Sequence, residues 1–324
     1  MAVFTELTKH QISNAIRSYK LDSIQSIKGF ASGVENTTYG LICGDERHVL
    51  TLFERRVSAK DIPFFADLLE ELRNGGINCP KILANDSGKN HFFINGKLCI
   101  LQTFIKGMVV DLPTPYHCKL AGQQLGQMHC IGSESKLRKQ NPLSIKNWAD
   151  LLPTALAHQS SQWQSRAVQI NELYNTLRRE WPEGLPTGPV HADYFPDNVF
   201  FIGETSIAVF DFFLACSETF AYDLALALIS WAFDDDGDIS PDHMIAFLFG
   251  YKQTYSMSKN EQKWLPFFCK AAALRILLTR MVDDQVSRNS VQVSNKPPEP
   301  FWRRLVTLRE AELGGHFKQF LKGM

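Results

Sequence analysis

Apolar and polar positions along the chain follow two regimes, with the change near residue 107. In the first regime the apolar residues form short runs rich in β-branched and aromatic side chains. SIQSIKGF (23–30), TTYGLIC (37–43) and HVLTLFE (48–54) read as strands. ASGVEN (31–36) separates the first two, and the turn GDER (44–47) joins the second to the third. Thr8 and Gln11 have capping-box spacing and open a short helix with Ile12, Ile16 and Tyr19 on one face. Between Asp61 and Arg73 the spacing of Phe64, Phe65, Leu68, Leu69 and Leu72 predicts an amphipathic helix. HFFI and KLCILQTFI flank Asn95-Gly96, the pair that suits a type I′ hairpin turn.

Beyond residue 107 the period lengthens to that of helices. KLAGQQLGQMH (119–129) is followed by helical patterns over 162–180, 219–233, 241–255 and 261–284. Only 190–213 reads as strands here, with NVFFI and SIAVFDFF around GET, a hairpin inside a helical region. NKPPEP (295–300) is a loop before a last helix carrying Trp302, Leu305 and Leu308. The order predicts an α+β chain of two lobes: a small antiparallel-sheet N-lobe over 1–104 and a larger helical C-lobe over 105–324, joined near 102–107.

Composition narrows the function classes. Thirty-four basic residues balance thirty-four acidic ones, so no field favours a nucleic-acid partner. No apolar run is long enough to span a bilayer, and the first residues lack a charged stretch followed by an apolar one. Seven scattered cysteines without a C-x-x-C pair suit reduced, mostly buried thiols, and a cytoplasmic monomer or homodimer is expected.

The chemistry concentrates in PVHADYFPDNVFF (189–201). His191, Asp193 and Asn198 have the spacing H-x-D-x-x-x-x-N, and Asp211 follows across the hairpin in VFDFF. This is the spacing of a kinase catalytic loop followed by a metal-binding Asp, and it predicts a protein-kinase-like fold. Phosphoryl transfer needs positioning above all. Asp193 would take the proton of the acceptor hydroxyl. Asn198 and Asp211 would hold Mg2+, which favours hard oxygen ligands. His191 is expected to brace the loop. The loop between the first two strands, with Gly33, Val34 and Asn36, would cover the phosphates of ATP. Val49 on the third strand, and Gln102 and Phe104 at the hinge, would flank the base.

These residues resemble those of the aminoglycoside-phosphotransferase-like kinases, a branch of the protein-kinase fold acting on small hydroxyl substrates. MAVFTEL, GVENTTYGL, HVLTLFERR, DIPFFADLLEEL, NCPKIL, HADYFPDNVFF, DFFLACSETFAYDLALALISWAF and AALRILLTRMVDD together are similar to the homoserine kinases of that fold. The resemblance runs from the first residues to about residue 284. It implies transfer of the γ-phosphate of ATP to the side-chain hydroxyl of L-homoserine, giving O-phospho-L-homoserine for threonine synthesis. One departure from the general kinase pattern is Thr51, which stands where a phosphate-binding Lys is expected; Arg55, Arg56 and Lys28 are alternative cations. For the zwitterionic acceptor, Arg275 and Arg280 are candidates for the carboxylate, and Tyr194 and Asp197 for the amine or acceptor end. Asp223 is expected to cap a helix or tie the catalytic loop. WAFDDDGD (231–238) reads as a solvated loop, since the later Glu of a calcium loop is missing. Two other readings stay open: a kinase of this fold for another small alcohol, such as an aminoglycoside or choline, and a catalytically inactive kinase-like binding module.

Overall fold

The computed structural model of the chain describes residues 5–30, 36–157, 161–234, 236–287 and 296–313. They group into two units, one up to Lys106 and the other from Gly107 onward.

In the first unit, α1 (Lys9–Ala15) begins at the expected capping box. Thr8 Oγ1 accepts the Gln11 amide at 3.2 Å, and Gln11 Oε1 accepts the Thr8 amide at 2.8 Å. There follow β1 (Ile24–Gly29), β2 (Thr37–Cys43), β3 (Glu46–Leu52), α2 (Ile62–Asn74), β4 (Phe92–Ile94) and β5 (Lys97–Thr103). They form one antiparallel sheet in the order β1-β2-β3-β5-β4. Asn95 and Gly96 both take positive φ, 52° and 77°, as the two central residues of a type I′ turn must. Alternation sets the core. Tyr39, Leu41 and Cys43 of β2 face inward with Leu50, Leu52 and Leu101, and Ile12, Ile16 and Tyr19 cover them. The five-residue apolar stripe of α2 is buried as its spacing predicts.

The second unit contains α3 (Pro115–Glu134), α4 (Trp148–Leu156), α5 (Ser161–Glu180), β6 (Thr187–Val190), β7 (Val199–Ile202), β8 (Ser206–Val209), β9 (Cys216–Thr219), α6 (Phe220–Trp231), α7 (Pro241–Lys252), α8 (Lys259–Ser287) and α9 (Glu299–Leu313). The expected hairpin is β7–β8, with Val199 opposite Val209. A second two-stranded ladder, β6–β9, brackets it and pairs Val190 with Cys216. Helix α6 is buried on nearly every side, because apart from Asp223 and Ser230 its residues carry apolar or aromatic side chains. Helices α3 and α7 meet backbone to backbone. A Cβ on Gly122 would stand 2.0 Å from the Phe247 carbonyl oxygen, and one on Gly250 would stand 2.0 Å from that of Lys119.

Two features of this unit differ from the sequence expectation. Helix α4 carries Pro153 in its interior, and its contribution to the core is Trp148, Leu152 and Ala155. Strands β6 and β9 have four residues each, too few for a two-residue period to stand out. Six of the seven cysteines are buried and Cys130 is exposed, all as free thiols. Burial pushes Cys79, Cys99 and Cys118 up to about 12, which keeps them protonated and inert.

Candidate active site

The loop 191–198 runs from the end of β6 to the start of β7, so a strand anchors it at each end. Its polar groups are bound to one another. The Asn198 side-chain amide donates to the Asp193 carbonyl at 2.8 Å and to Asp193 Oδ2 at 3.2 Å. With its nitrogen spent on Asp193, the oxygen of Asn198 is the atom a cation would meet. The Asp193 side chain is 24% exposed and its Oδ1 lies 4.0 Å from the Arg275 guanidinium. One oxygen is thereby oriented by Asn198 and the other faces a positive charge.

His191 joins this loop to Asp211. Its Nε2 donates to the Phe210 carbonyl at 3.0 Å, and its Nδ1 accepts the Asp193 amide at 3.2 Å. That pair of bonds requires a neutral ring. Burial pushes the imidazole below its ordinary value, although Asp223 and Asp193 pull it upward. The Phe210 amide donates to the Asn198 carbonyl at 3.1 Å, which continues the β7–β8 ladder by one step. Asp211 then takes a left-handed conformation, φ 63° and ψ 55°, as the chain enters a short 3₁₀ turn at Phe212–Leu214. Asp tolerates that region better than most residues. Asn198 and Asp211 therefore leave adjacent ends of one hairpin, and Asp211 is exposed.

Ala192 also has a positive φ, 62°. A left-handed Ala costs roughly 1–2 kcal/mol and persists only where its surroundings over-determine it. Here both of its backbone polar groups are held. Its amide donates to Asp223 Oδ1 at 2.7 Å, and its carbonyl accepts a 2.5 Å bond from Arg275. Asp223 is fully buried on α6, and its other oxygen lies 2.9 Å from Nε2 of His129, whose Nδ1 lies 2.7 Å from the Tyr251 hydroxyl. A chain of polar groups from α7 through α3 and α6 thus ends on the residue before Asp193. Asp223 ties the loop, one of the two roles expected of it. Nothing in the helical patterns around His129 and Tyr251 marks them for this role.

The other sequence candidates fall in different places. Tyr194 is wholly buried, and its hydroxyl donates to the Ala121 carbonyl at 3.1 Å. Arg275 is 4% exposed and bound to the loop. Each side chain donates to a backbone carbonyl in the interior. Asp197 is half-exposed and ion-paired with Lys296. Arg280 is partly buried, donates to the Pro297 carbonyl at 3.1 Å, and stacks over Phe301.

In the first unit, Gly33 and Val34 lie outside the described residues. Asn36 is half-buried just before β2, and Val49 is half-buried on β3 opposite Gln102. Gln102 is buried and pairs with Ile82 as well. The Thr103 amide donates to Lys81 and the Phe104 amide to Arg47, so the sheet ladder runs through this segment and uses the Phe104 amide expected at the base. Thr51 is buried on β3, and Lys28, Arg55 and Arg56 are exposed. Lys97 begins β5 at the same end of the sheet as Thr37 and is ion-paired with Glu54. Burial alone would raise the Glu54 pKa, but bonds from Lys97, Thr37 and Thr5 outweigh it and hold the carboxyl below its usual range.

Chemically, the loop offers a carboxylate oriented by an amide, with two further hard oxygen donors at the end of one hairpin. Among the described residues no group of three or more His, Cys, Asp and Glu side chains is placed to hold a metal. A Mg2+ site needs fewer, because waters and phosphates supply the other positions. The donor set fits such an ion.

Comparisons with known proteins agree on one family. Residues 26–256 match the family model described as "Phosphotransferase enzyme family". A homoserine kinase of Methylobacterium radiotolerans is 36% identical over 96% of this chain and 97% of its own. The homoserine kinase of Rhizobium meliloti is 34% identical over 92% of this chain and 91% of its own. Among solved structures, an amicoumacin kinase in complex with AMP-PNP and Ca2+ superposes with a TM-score of 0.70 at 18% identity, over 94% of this chain and 93% of that one. A microcompartment-associated aminopropanol kinase gives 0.69 at 14% identity, over 95% and 98%. The fold is the protein-kinase-like fold of these enzymes, with an antiparallel-sheet N-lobe and a helical C-lobe.

Proposed function

The chain belongs to the phosphotransferase enzyme family and, within it, to the homoserine kinases, and on that premise we propose which of its residues carry the transfer. The reaction is ATP-dependent phosphorylation of the side-chain hydroxyl of L-homoserine, giving O-phospho-L-homoserine for threonine synthesis. Asp193 is the base. Its carboxylate accepts the hydroxyl proton as the oxygen attacks the γ-phosphorus and the bond to the leaving ADP breaks. Asn198 and Asp211 hold the divalent ion, taken here as Mg2+, which when bound neutralises charge on the transferring phosphoryl group. His191, Asp223 and Arg275 fix the loop so that the base does not have to be ordered at the moment of reaction. Asn36 and Val49 contribute to the nucleotide side, together with Gly33 and Val34, and the enzyme acts in the cytoplasm.

The observation that carries this reading is the bond from Asn198 to Asp193. It fixes the base to the metal-binding residue and leaves an amide oxygen for the ion. A module without chemistry has no use for that arrangement.

A coupled ADP-release assay with a panel of alcohols tests the reading. L-Homoserine should give turnover well above ATP hydrolysis, and choline and aminoglycosides should not. Preference for another alcohol would reassign the acceptor, and no turnover with any of them would favour a binding module.

A further inference from the structure

The face of α8 that follows Arg275 carries a second arginine in a different situation. Arg280 lies five residues, about 1.4 turns, further on, so it points elsewhere. Its guanidinium carbon stands 4.3 Å from the ring centroid of Phe301, and that of Arg304 stands 4.4 Å from the same ring. Phe301 is 2% exposed, Arg304 is 7% exposed and Arg280 is partly buried, so two cations share one ring in a corner between α8 and α9. The segment entering α9 closes this corner onto the catalytic loop. Pro297 accepts from Arg280, and Lys296 pairs with Asp197, the residue before Asn198.

The charge balance of this corner is uneven. Arg280 is satisfied by a neutral carbonyl and a ring rather than by a carboxylate among the described residues. Burial first, and then the charge of Arg304, pull its pKa down to about 10, against the opposing pull of Asp197, Asp193 and Asp283. A guanidinium in such surroundings gains when an anion arrives, and its fork suits a carboxylate. Pro297 accepts from Arg280 and the neighbouring Lys296 pairs with Asp197, so the corner adjoins the loop that carries Asp193. An acceptor whose hydroxyl lies on Asp193 carries its α-carboxylate a few bonds further on. Arg275 differs in being 4% exposed and already facing a carboxylate, Asp193 Oδ1 at 4.0 Å.

We propose that Arg280, backed by Phe301 and Arg304, forms the subsite that binds the α-carboxylate of the amino-acid acceptor. The assignment rests on the homoserine kinase reading above and names the contact that selects an amino acid over a simple amino alcohol.

The test compares L-homoserine with 3-aminopropan-1-ol, the same molecule without its carboxylate, on the whole enzyme. Wild-type kcat/KM should favour L-homoserine by about 10- to 100-fold, the range for a charge-assisted bond. Arg280→Gln should raise the L-homoserine KM by a similar factor, with the ATP KM and the kinetics of 3-aminopropan-1-ol unchanged. Arg280→Lys keeps the charge but loses the fork, and should fall between the two; it decides the matter if the Gln variant does not fold. An unchanged L-homoserine KM in a folded variant, or equal losses for both alcohols, overturns the subsite. Wild-type enzyme that uses both alcohols equally well overturns it too. Wild-type enzyme inactive on both, yet active on another alcohol, overturns the underlying reading instead.

Discussion

Removing the Asp223 carboxylate should cost both stability and turnover, and the structure sets the size of each. Asp223 is fully buried and serves two groups, the Ala192 amide at 2.7 Å and His129 Nε2 at 2.9 Å. In Asp223→Ala both lose their partner where no water is within easy reach. Each orphaned buried group costs about 1–3 kcal/mol, so the pair costs about 4 kcal/mol. Relaxation of the left-handed Ala192 would return roughly 1–2 kcal/mol. The net loss is about 2–3 kcal/mol on these figures. Asp223→Asn should be far milder. Its amide oxygen still accepts from Ala192, and its nitrogen can donate to His129 Nε2 if that ring moves its proton to Nδ1, toward Tyr251. The catalytic consequence follows from the relaxation itself. Ala192 precedes Asp193, and a displacement of about 1 Å at a reacting group lowers rate about 100-fold. Urea unfolding gives the stability change, and single-turnover phosphoryl transfer at saturating ATP gives the rate. A folded Ala variant with wild-type turnover would refute the bracing role. Equal damage in the Ala and Asn variants would show that the charge matters and not the bonds.

Three further outcomes are expected. Asp193→Asn should lower kcat by about 100- to 10,000-fold while leaving ATP affinity intact, since it removes a general base and no nucleotide contact; a rate close to wild type would exclude Asp193 as the base. The depressed pKa of His191 gives the protein a pH-dependent stability. The unfolded chain binds the proton more readily, so this contribution is present above the ordinary histidine value of about 6.5 and is lost as pH falls through the folded value. Urea midpoints measured between neutral pH and mild acid should fall more steeply for wild type than for His191→Gln, and parallel curves would refute this. Gly122→Ala should lower the melting temperature sharply, because its Cβ would meet the Phe247 carbonyl oxygen at 2.0 Å, whereas Gly203→Ala has open space around it and is opposed only by its φ of 62°. Similar melting temperatures for the two variants would contradict the close approach of α3 and α7.

Much of the framework was legible in one dimension, because local rules govern it. Thr8 and Gln11 cap a helix by their own side chains. Asn95-Gly96 dictates its turn through allowed φ values. The α2 stripe and the β2 alternation expose the period that the core imposes. The H-x-D-x-x-x-x-N motif is likewise a matter of spacing: a loop of fixed length places Asp193 and Asn198 together, and one hairpin returns the chain to Asp211. Strands β6 and β9 were not legible, since four-residue strands show no clear period and their pairing spans the whole catalytic loop.

The partners of single polar side chains were decided only in three dimensions. Arg275 and Arg280 look alike along the chain, each an arginine in an apolar stretch of one helix. The helical turn between them sends one to the Ala192 carbonyl and the other to Phe301 and Pro297. Tyr194 follows Asp193 directly, yet its hydroxyl reaches Ala121 on α3. Nothing local encodes the tie from Asp223 to Ala192, which joins residues 31 apart in the chain. The sequence by itself determined the fold class and the spacing that gathers Asp193, Asn198 and Asp211 around one loop and hairpin, because those follow from period and turn chemistry. Tertiary structure decided which buried side chains brace the loop, because that depends on where helices distant in sequence come to pack.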